Sequence, residues 1–237
     1  MPDFFLQIAR ILEKLVIVNQ RNETTKHYGA DPAWFDLNPC LSEQEIMAFE
    51  QEYQVILPGD YRLFLMQVGN GSKEDDNGFF SLEKGTPKPA EGSLKSPINQ
   101  PFLLREGYDY DQRMGQFLEM PDLGSHWNIQ GSERWVQGNQ QLKNELTAFG
   151  ISHGFLTLCN QGCAMFDVLI VTGPEAGTMW LEYEDGMLPQ SDKRYNLPRL
   201  TFLNWYEQIL DQTLYDIKTE TRRYTPEGNL SGVDYEA

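Results

Sequence analysis

The sequence predicts an α+β fold in which helices cover a mostly antiparallel sheet. Three segments, 155–159, 164–171 and 178–183, are rich in apolar and β-favouring residues. The connections between them, 160–162 and 172–177, are short and turn-like, which indicates an antiparallel meander. Segments with helical spacing precede and follow these strands, so strands and helices are separated along the chain as in α+β proteins.

The N-terminal segment has the spacing of an amphipathic helix, since apolar residues recur at intervals of three and four positions. The residues of this predicted buried face are Phe4, Phe5, Ile8, Ile11, Leu12 and Leu15. The polar segment 19–31, which contains a glycine, ends the helix.

A second helix is predicted to begin after Ser42, because Ser42 and Glu45 form a capping box in which each side chain bonds the other residue's backbone N–H. Its inner face carries Ile46, Phe49 and Tyr53. Proline lacks a backbone donor and restricts the residue before it, so residues 57–58 end this helix.

A third helix is predicted to start near residue 58 or 59 and to end at the positive-φ-tolerant residues 69–71. Its buried face is expected to contain Tyr61, Phe64, Leu65 and Val68. Residues 78–82 then have the composition of a short strand. At the other end of the chain, residues 201–210 return to helical spacing and are expected to cover the sheet with Phe202, Trp205, Tyr206 and Ile209.

Residues 85–150 show the weakest periodicity, and the part from 85 to 101 is rich in Pro, Gly, Ser and Lys. A structureless loop of this length is improbable in a compact fold, so we expect this segment to pack on the domain, with a short helix at 141–148. We therefore predict one domain over residues 1–237, with an N-terminal helical extension of about 40 residues and a long insertion at about 85–150.

The chain is strongly acidic, with 35 Asp and Glu against 19 Lys and Arg, a formal net charge of −16 and a pI near 4.5. This charge disfavours nucleic acids and anionic membrane surfaces as partners. The same charge attracts a basic protein and accelerates the encounter. An alternative interpretation is that the acidic residues only keep the protein soluble.

The N-terminus and the cysteines predict a cytoplasmic protein. Residues 1–4 lack the basic cluster of a secretory signal, and the apolar run 15–18 is too short for a membrane span. The three cysteines, Cys40, Cys159 and Cys163, form an odd set that fits a reducing compartment better than a disulfide framework.

The sequence contains no motif for a nucleophilic hydrolase, a phosphate-binding loop or a dinucleotide site. His27, His126 and His153 occur singly, and Cys159 and Cys163 lack a second pair of ligands, so core packing is the preferred interpretation of these thiols. Residues 75–78 imitate a calcium loop, but lysines occupy two of its ligand positions. We therefore expect a protein without enzymatic activity, bound metal or cofactor.

Two distant stretches resemble the SUKH superfamily, whose members include fungal cell-wall assembly regulators and bacterial toxin-immunity proteins. The first stretch, 41–71, has a Leu-Ser-x-x-Glu opening, Phe49-Glu50, Leu-Pro-x-Asp-Tyr at 57–61 and a later Asn-Gly. The second comprises Gly162-Cys163, residues 169–174, Gly177, Trp180 and 202–206. The resemblance covers roughly half of the chain and implies an α+β scaffold that binds proteins.

The resemblance and the charge together favour an immunity protein that neutralises a bacterial toxin, often a nuclease, by covering its basic surface. Predicted contacts are acidic residues expected at turns or strand ends, with Tyr183 as an aromatic anchor: Glu74, Asp75, Asp76, Glu182, Glu184 and Asp185. The alternative is a regulatory or assembly scaffold, as the cell-wall regulators suggest. A third alternative, an enzyme, requires a concave pocket with clustered, perturbed carboxylates.

Overall fold

The computed structural model describes residues 4–22, 32–73, 78–87, 97–109, 112, 153–162, 165–183, 186–192 and 196–223. The longer helices in these ranges are α1 (Phe4–Asn22), α2 (Glu43–Tyr53), α3 (Gly59–Gln67) and α5 (Phe202–Arg223), and α4 is a single turn (Leu82–Gly85). The strands are β1 (Tyr108–Asp109), β2 (Phe155–Gly162), β3 (Met165–Ile170), β4 (Met179–Tyr183) and β5 (Gly186–Pro189). Short 3-10 turns lie at Pro32–Phe35 and Pro97–Asn99.

These strands form one antiparallel sheet in the order β1-β5-β4-β3-β2. The predicted meander is confirmed, because β2 pairs with β3 and β3 pairs with β4, with Val168 opposite Trp180. The α+β fold class is therefore confirmed as well. The sheet continues beyond the prediction through β5 and β1.

The predicted strand at 78–82 is wrong. Phe79 makes a single antiparallel bridge to Cys159, and the Phe80 N–H donates to the Leu158 carbonyl at 2.7 Å. The Ser81 side chain then accepts from the backbone N–H of Lys84 and caps α4. The chain turns into a helix at this cap before a strand can extend.

The capping box at the start of α2 is confirmed. The Ser42 side chain accepts from Glu45 N–H, and the Glu45 carboxylate accepts from Ser42 N–H at 2.7 Å. These bonds satisfy backbone donors that the first helical turn leaves free. The helix ends at Gln54, which has left-handed backbone angles.

Asp60 joins the N-termini of two helices. Its buried carboxylate accepts from Tyr61 N–H in the first turn of α3 at 2.9 Å and from Leu203 N–H in the first turn of α5 at 3.2 Å. Thr201 adds a side-chain hydrogen bond. Burial raises the pKa of Asp60, and these hydrogen bonds act in the opposite direction. Asp60 thereby fixes where α5 begins relative to α3.

Helix α1 packs in parallel against α5. Gln7 donates to Asn204 at 2.8 Å. About two turns further along both helices, Lys14 pairs with Asp211. The predicted buried face is corrected at two positions, because Phe5 and Leu12 are exposed. The face that packs inward is rotated towards the residues Gln7, Ile8, Ile11, Leu15 and Val18.

The main core lies between the helices and one face of the sheet, and aromatic rings dominate it. Phe64 meets Phe202 edge to face at 4.9 Å, and Phe79 lies 5.8 Å from Phe202 between ring centroids. On the other face of the sheet, Phe102 packs edge to face on Trp180 at 5.0 Å. The first part of the predicted insertion, 97–109, therefore packs on the sheet, and the predicted helix at 141–148 lies outside the described residues.

Candidate functional site

A groove of about 680 Å³ lies between α5 and the end of the sheet where β2 finishes. We call it the amide groove, because carboxamide side chains form most of its polar lining. Its lining residues are Trp34, Asn160, Gln161, Gly162, Asp167, Gln190, Trp205, Gln208, Ile209 and Gln212. Among the residues that the structure describes, this lining includes one carboxylate and no Lys or Arg.

Asp167 is the buried polar centre of the amide groove, with 1% of its surface exposed. Gln161 and Gln190 each donate from Nε2 to one oxygen of the carboxylate at 2.5 Å, and the Trp205 side chain gives a further hydrogen bond. Burial raises the pKa of Asp167, and the hydrogen bonds from these three side chains oppose that rise. Three side chains thus hydrogen-bond this carboxylate within the protein.

The hydrogen bonds of Asp167 determine how the neighbouring amides are oriented. An ionised carboxylate only accepts hydrogen bonds, so Gln161 and Gln190 must turn their NH2 groups towards it. Gln190 Nε2 also donates to the Trp180 carbonyl at 3.1 Å. The amide groove is therefore a polar surface whose amides are oriented by Asp167 and suited to hydrogen bonding.

Cys159 lies directly opposite Asp167 in the sheet and is buried. Burial, and secondarily the charge of Asp167, raises the pKa of this thiol well above its usual range. The core-packing interpretation of Cys159 is confirmed, since a protonated buried thiol packs as a small apolar group. Cys40 is exposed, and Cys163 lies outside the described residues.

Metal-ligating side chains do not gather in the part of the chain that the structure describes, where no three His, Cys, Asp or Glu residues could hold an ion. His153 is described, whereas His27 and His126 are not.

The outer surface of α2 is the most acidic of the described helices. The helix contains Glu43, Glu45, Glu50 and Glu52 and has no Lys or Arg. Of these, Glu50 is half-buried and the other three are exposed. Arg62 from α3 lies 3.5 Å from Glu43 and offsets part of the charge.

Two exposed apolar side chains accompany these carboxylates. Met47 on α2 is 56% exposed, and Ile56, just after the helix, is 83% exposed. We call the set Glu43, Glu45, Met47, Glu52 and Ile56 the acidic α2 surface. The set spans both flanks of the exposed side of α2, because Glu43 and Met47 lie on one flank and Glu45 and Glu52 lie roughly 160° away on the other. Exposed apolar side chains among polar residues are typical of protein-binding surfaces.

The predicted contact residues lie elsewhere, and the structure describes only two of them. Glu182 lies near the end of β4, as predicted, but it is half-buried and not fully exposed, because it sits between Phe166 and Met187 in the sheet. Burial raises its pKa. Tyr183 is the last residue of β4 and points to the opposite face, as successive strand residues do. Glu74, Asp75, Asp76, Glu184 and Asp185 lie outside the described residues.

Sequence reasoning missed Asp167 and the acidic α2 surface. A signal existed for Asp167, since it is a charged residue inside the apolar strand Met165–Ile170. The acidic α2 surface was visible as four glutamates in eleven residues without a base. The pairing of Asp167 with Gln190 depends on tertiary structure, so the sequence carried no local signal for it.

Comparison with known proteins gave no match: no protein-family model, no curated protein and no solved structure matches this chain. Within the described ranges, none of the helices combines the length and the apolar composition that a membrane crossing requires.

Proposed function

We propose that this protein is a cytoplasmic, non-catalytic immunity protein of the SUKH type that binds and neutralises a basic toxin domain. The observation that carries the proposal is the net charge of −16 on a compact α+β chain. A nuclease toxin holds a polyanion and therefore exposes Lys and Arg around its site. An acidic protein can occupy that basic surface and associate rapidly with it.

The acidic α2 surface supplies the contacts for this proposal. Its exposed glutamates match a basic partner, and Met47 and Ile56 provide apolar side chains that a partner can desolvate. Glu45 stays ionised to a lower pH than an ordinary glutamate, because its hydrogen bonds with Ser42 lower its pKa. Charge near the rim accelerates association, while the apolar contacts slow dissociation.

The amide groove supports the non-catalytic part of the proposal. Its one lining carboxylate, Asp167, already accepts hydrogen bonds from three side chains. An enzyme of the acid–base class needs a pair of groups with separated pKa values and access to substrate. The described lining offers no second carboxylate for such a pair.

Coexpression with the toxin encoded beside this protein tests the proposal, with cell survival and co-purification as readouts. We expect protection by the native chain and loss of protection on the double charge reversal Glu43→Lys with Glu52→Lys. The matched control is the double reversal Asp36→Lys with Glu106→Lys, which changes the net charge equally at side chains that are 65% and 86% exposed and lie outside α2. A native chain that neither binds nor protects contradicts the proposed function. If the native chain protects but both variants fail equally, the acidic α2 surface is the wrong site.

A further inference from the structure

Helix α1 has a second apolar face, which points away from the core. Its inner residues are buried against α5, yet five large apolar side chains on the outside remain 40–67% exposed: Phe5, Leu6, Leu12, Val16 and Ile17. Ala9 lies exposed among them. At 100° per residue these six positions form one arc, which the polar residues Glu13 and Gln20 interrupt. We call this arc the outer α1 face.

The outer α1 face concentrates apolar surface to an unusual degree. It carries half of the ten exposed large hydrophobic residues in the described part of the chain. Scattered single apolar residues on a surface are ordinary, but a contiguous patch on one helix marks an interaction site. A helix that is apolar on both faces is typical of one buried between two partners.

The charges of α1 indicate which partner covers this face. The helix contains Arg10, Lys14 and Arg21 against the single acid Glu13, and Arg10 and Lys14 are paired with acids of α5, so the charge around α1 is close to neutral in a chain of net charge −16. A second copy meeting the protein at α1 therefore keeps the acidic surfaces of the two molecules apart, whereas contact elsewhere brings like charges together. A basic partner, by contrast, gains no charge complementarity here.

We propose that two copies of this protein associate through antiparallel packing of their outer α1 faces. With the two-fold axis between residues 11 and 12, Arg10 of each copy lies opposite Glu13 of the other, so two ion pairs form. Arg10 remains 55% exposed while it pairs with Glu207, which leaves it able to contact a second carboxylate. The small side chain of Ala9 allows the helices to approach closely.

The size of the contact sets the expected affinity. A helix of 19 residues presents a strip roughly 28 Å long and about 10 Å wide, which is smaller than the roughly 800 Å² per partner of a standard interface. We therefore expect a concentration-dependent dimer with a dissociation constant on the order of micromolar.

Sedimentation equilibrium of the full chain over a range of concentrations tests the dimer, with Ala9→Glu as the disrupting variant. Glutamate is compatible with an exposed helical position, and two copies of it would face each other near the two-fold axis. We expect the native chain to dimerise and Ala9→Glu to weaken dimerisation at least tenfold. The control Leu103→Glu changes an exposed apolar residue outside α1 and α2 and leaves the dimer unchanged. A native chain that is monomeric throughout, or an Ala9→Glu chain that dimerises normally, overturns the proposal.

Cross-linking tests the antiparallel arrangement separately. In a chain with Cys40→Ser and Cys163→Ser, which keeps only the buried Cys159 of its native thiols, Leu12→Cys places two thiols beside the two-fold axis. Phe5→Cys instead places them about 20 Å apart along the helices. Mild oxidation should give a covalent dimer with Leu12→Cys only. Cross-linking at both positions indicates parallel packing, and failure at Leu12 places the axis elsewhere; either result overturns the arrangement. Dimerisation without toxin binding, or the reverse, separates this inference from the proposed function.

Discussion

Replacing Asp60 with alanine removes the acceptor that joins α3 to α5. Three groups lose their partner: the backbone N–H groups of Tyr61 and Leu203 and the Thr201 side chain. Loss of a helix cap costs about 1 kcal/mol, and a buried donor left without a partner costs about 1–3 kcal/mol. Since Asp60 is only 4% exposed, water cannot easily replace the carboxylate. We expect Asp60→Ala to lower the free energy of unfolding by about 2–4 kcal/mol.

Urea denaturation followed by circular dichroism measures this loss as a lower midpoint at unchanged slope. Asp60→Asn keeps one acceptor oxygen and should lose less, so it provides a second measurement if Asp60→Ala does not fold. The matched control is Asp36→Ala, because Asp36 is exposed and its ion pair with Lys73 contributes less than about 1 kcal/mol. If Asp60→Ala costs no more than Asp36→Ala, the bridging role of Asp60 is refuted.

Two further predictions concern α5 and the turn after β3. Burial alone would raise the pKa of Glu207, but hydrogen bonds from Arg10, Lys14 and Gln7 outweigh it and lower the pKa to about 2. The resulting stability, on the order of 1–2 kcal/mol after solvent screening, is present above pH 4.5 and is lost as the pH falls towards 2. In urea titrations, Glu207→Gln should therefore be less stable than the native chain at pH 7 and equally stable near pH 2. A difference in stability that stays the same across this pH range would contradict the role of the Glu207 charge. Gly173→Ala should lower the free energy of unfolding by about 1–3 kcal/mol, because φ at Gly173 is +118° and a Cβ would lie against the Phe102 carbonyl. Gly59 has open space around it, so Gly59→Ala should leave the free energy of unfolding unchanged or raise it. Equal thermal midpoints for the two alanine variants would refute the strain at Gly173.

The elements that the sequence predicted well are those whose signals are local. The capping box of Ser42 and Glu45 involves residues three positions apart, and the meander of β2, β3 and β4 follows from short turns. The inner faces of α3 and α5 follow from helical spacing, since Tyr61, Phe64 and Phe202 are all buried. In each case the information lies within one helical turn or one strand.

The elements that the sequence missed depend on contacts between distant segments. Strand β5 contains a glycine and a proline in four residues, so its composition argues against a strand, and only its pairing with β4 makes it one. Asp60 and Leu203 are 143 residues apart, which hides the cap of α5 from any local pattern. The face of α1 was misplaced because both of its sides are apolar, so spacing alone could not select the buried one.

Isothermal titration of the purified chain with a basic toxin domain from a neighbouring gene is the most direct test of the proposed function. At low salt we predict a tight complex that abolishes toxin activity, and an affinity that weakens as added salt screens the carboxylates. The double variant Glu43→Lys with Glu52→Lys should bind more weakly and show a smaller dependence on salt. No binding at low salt, or binding that is tight but leaves the toxin fully active, would contradict the proposal.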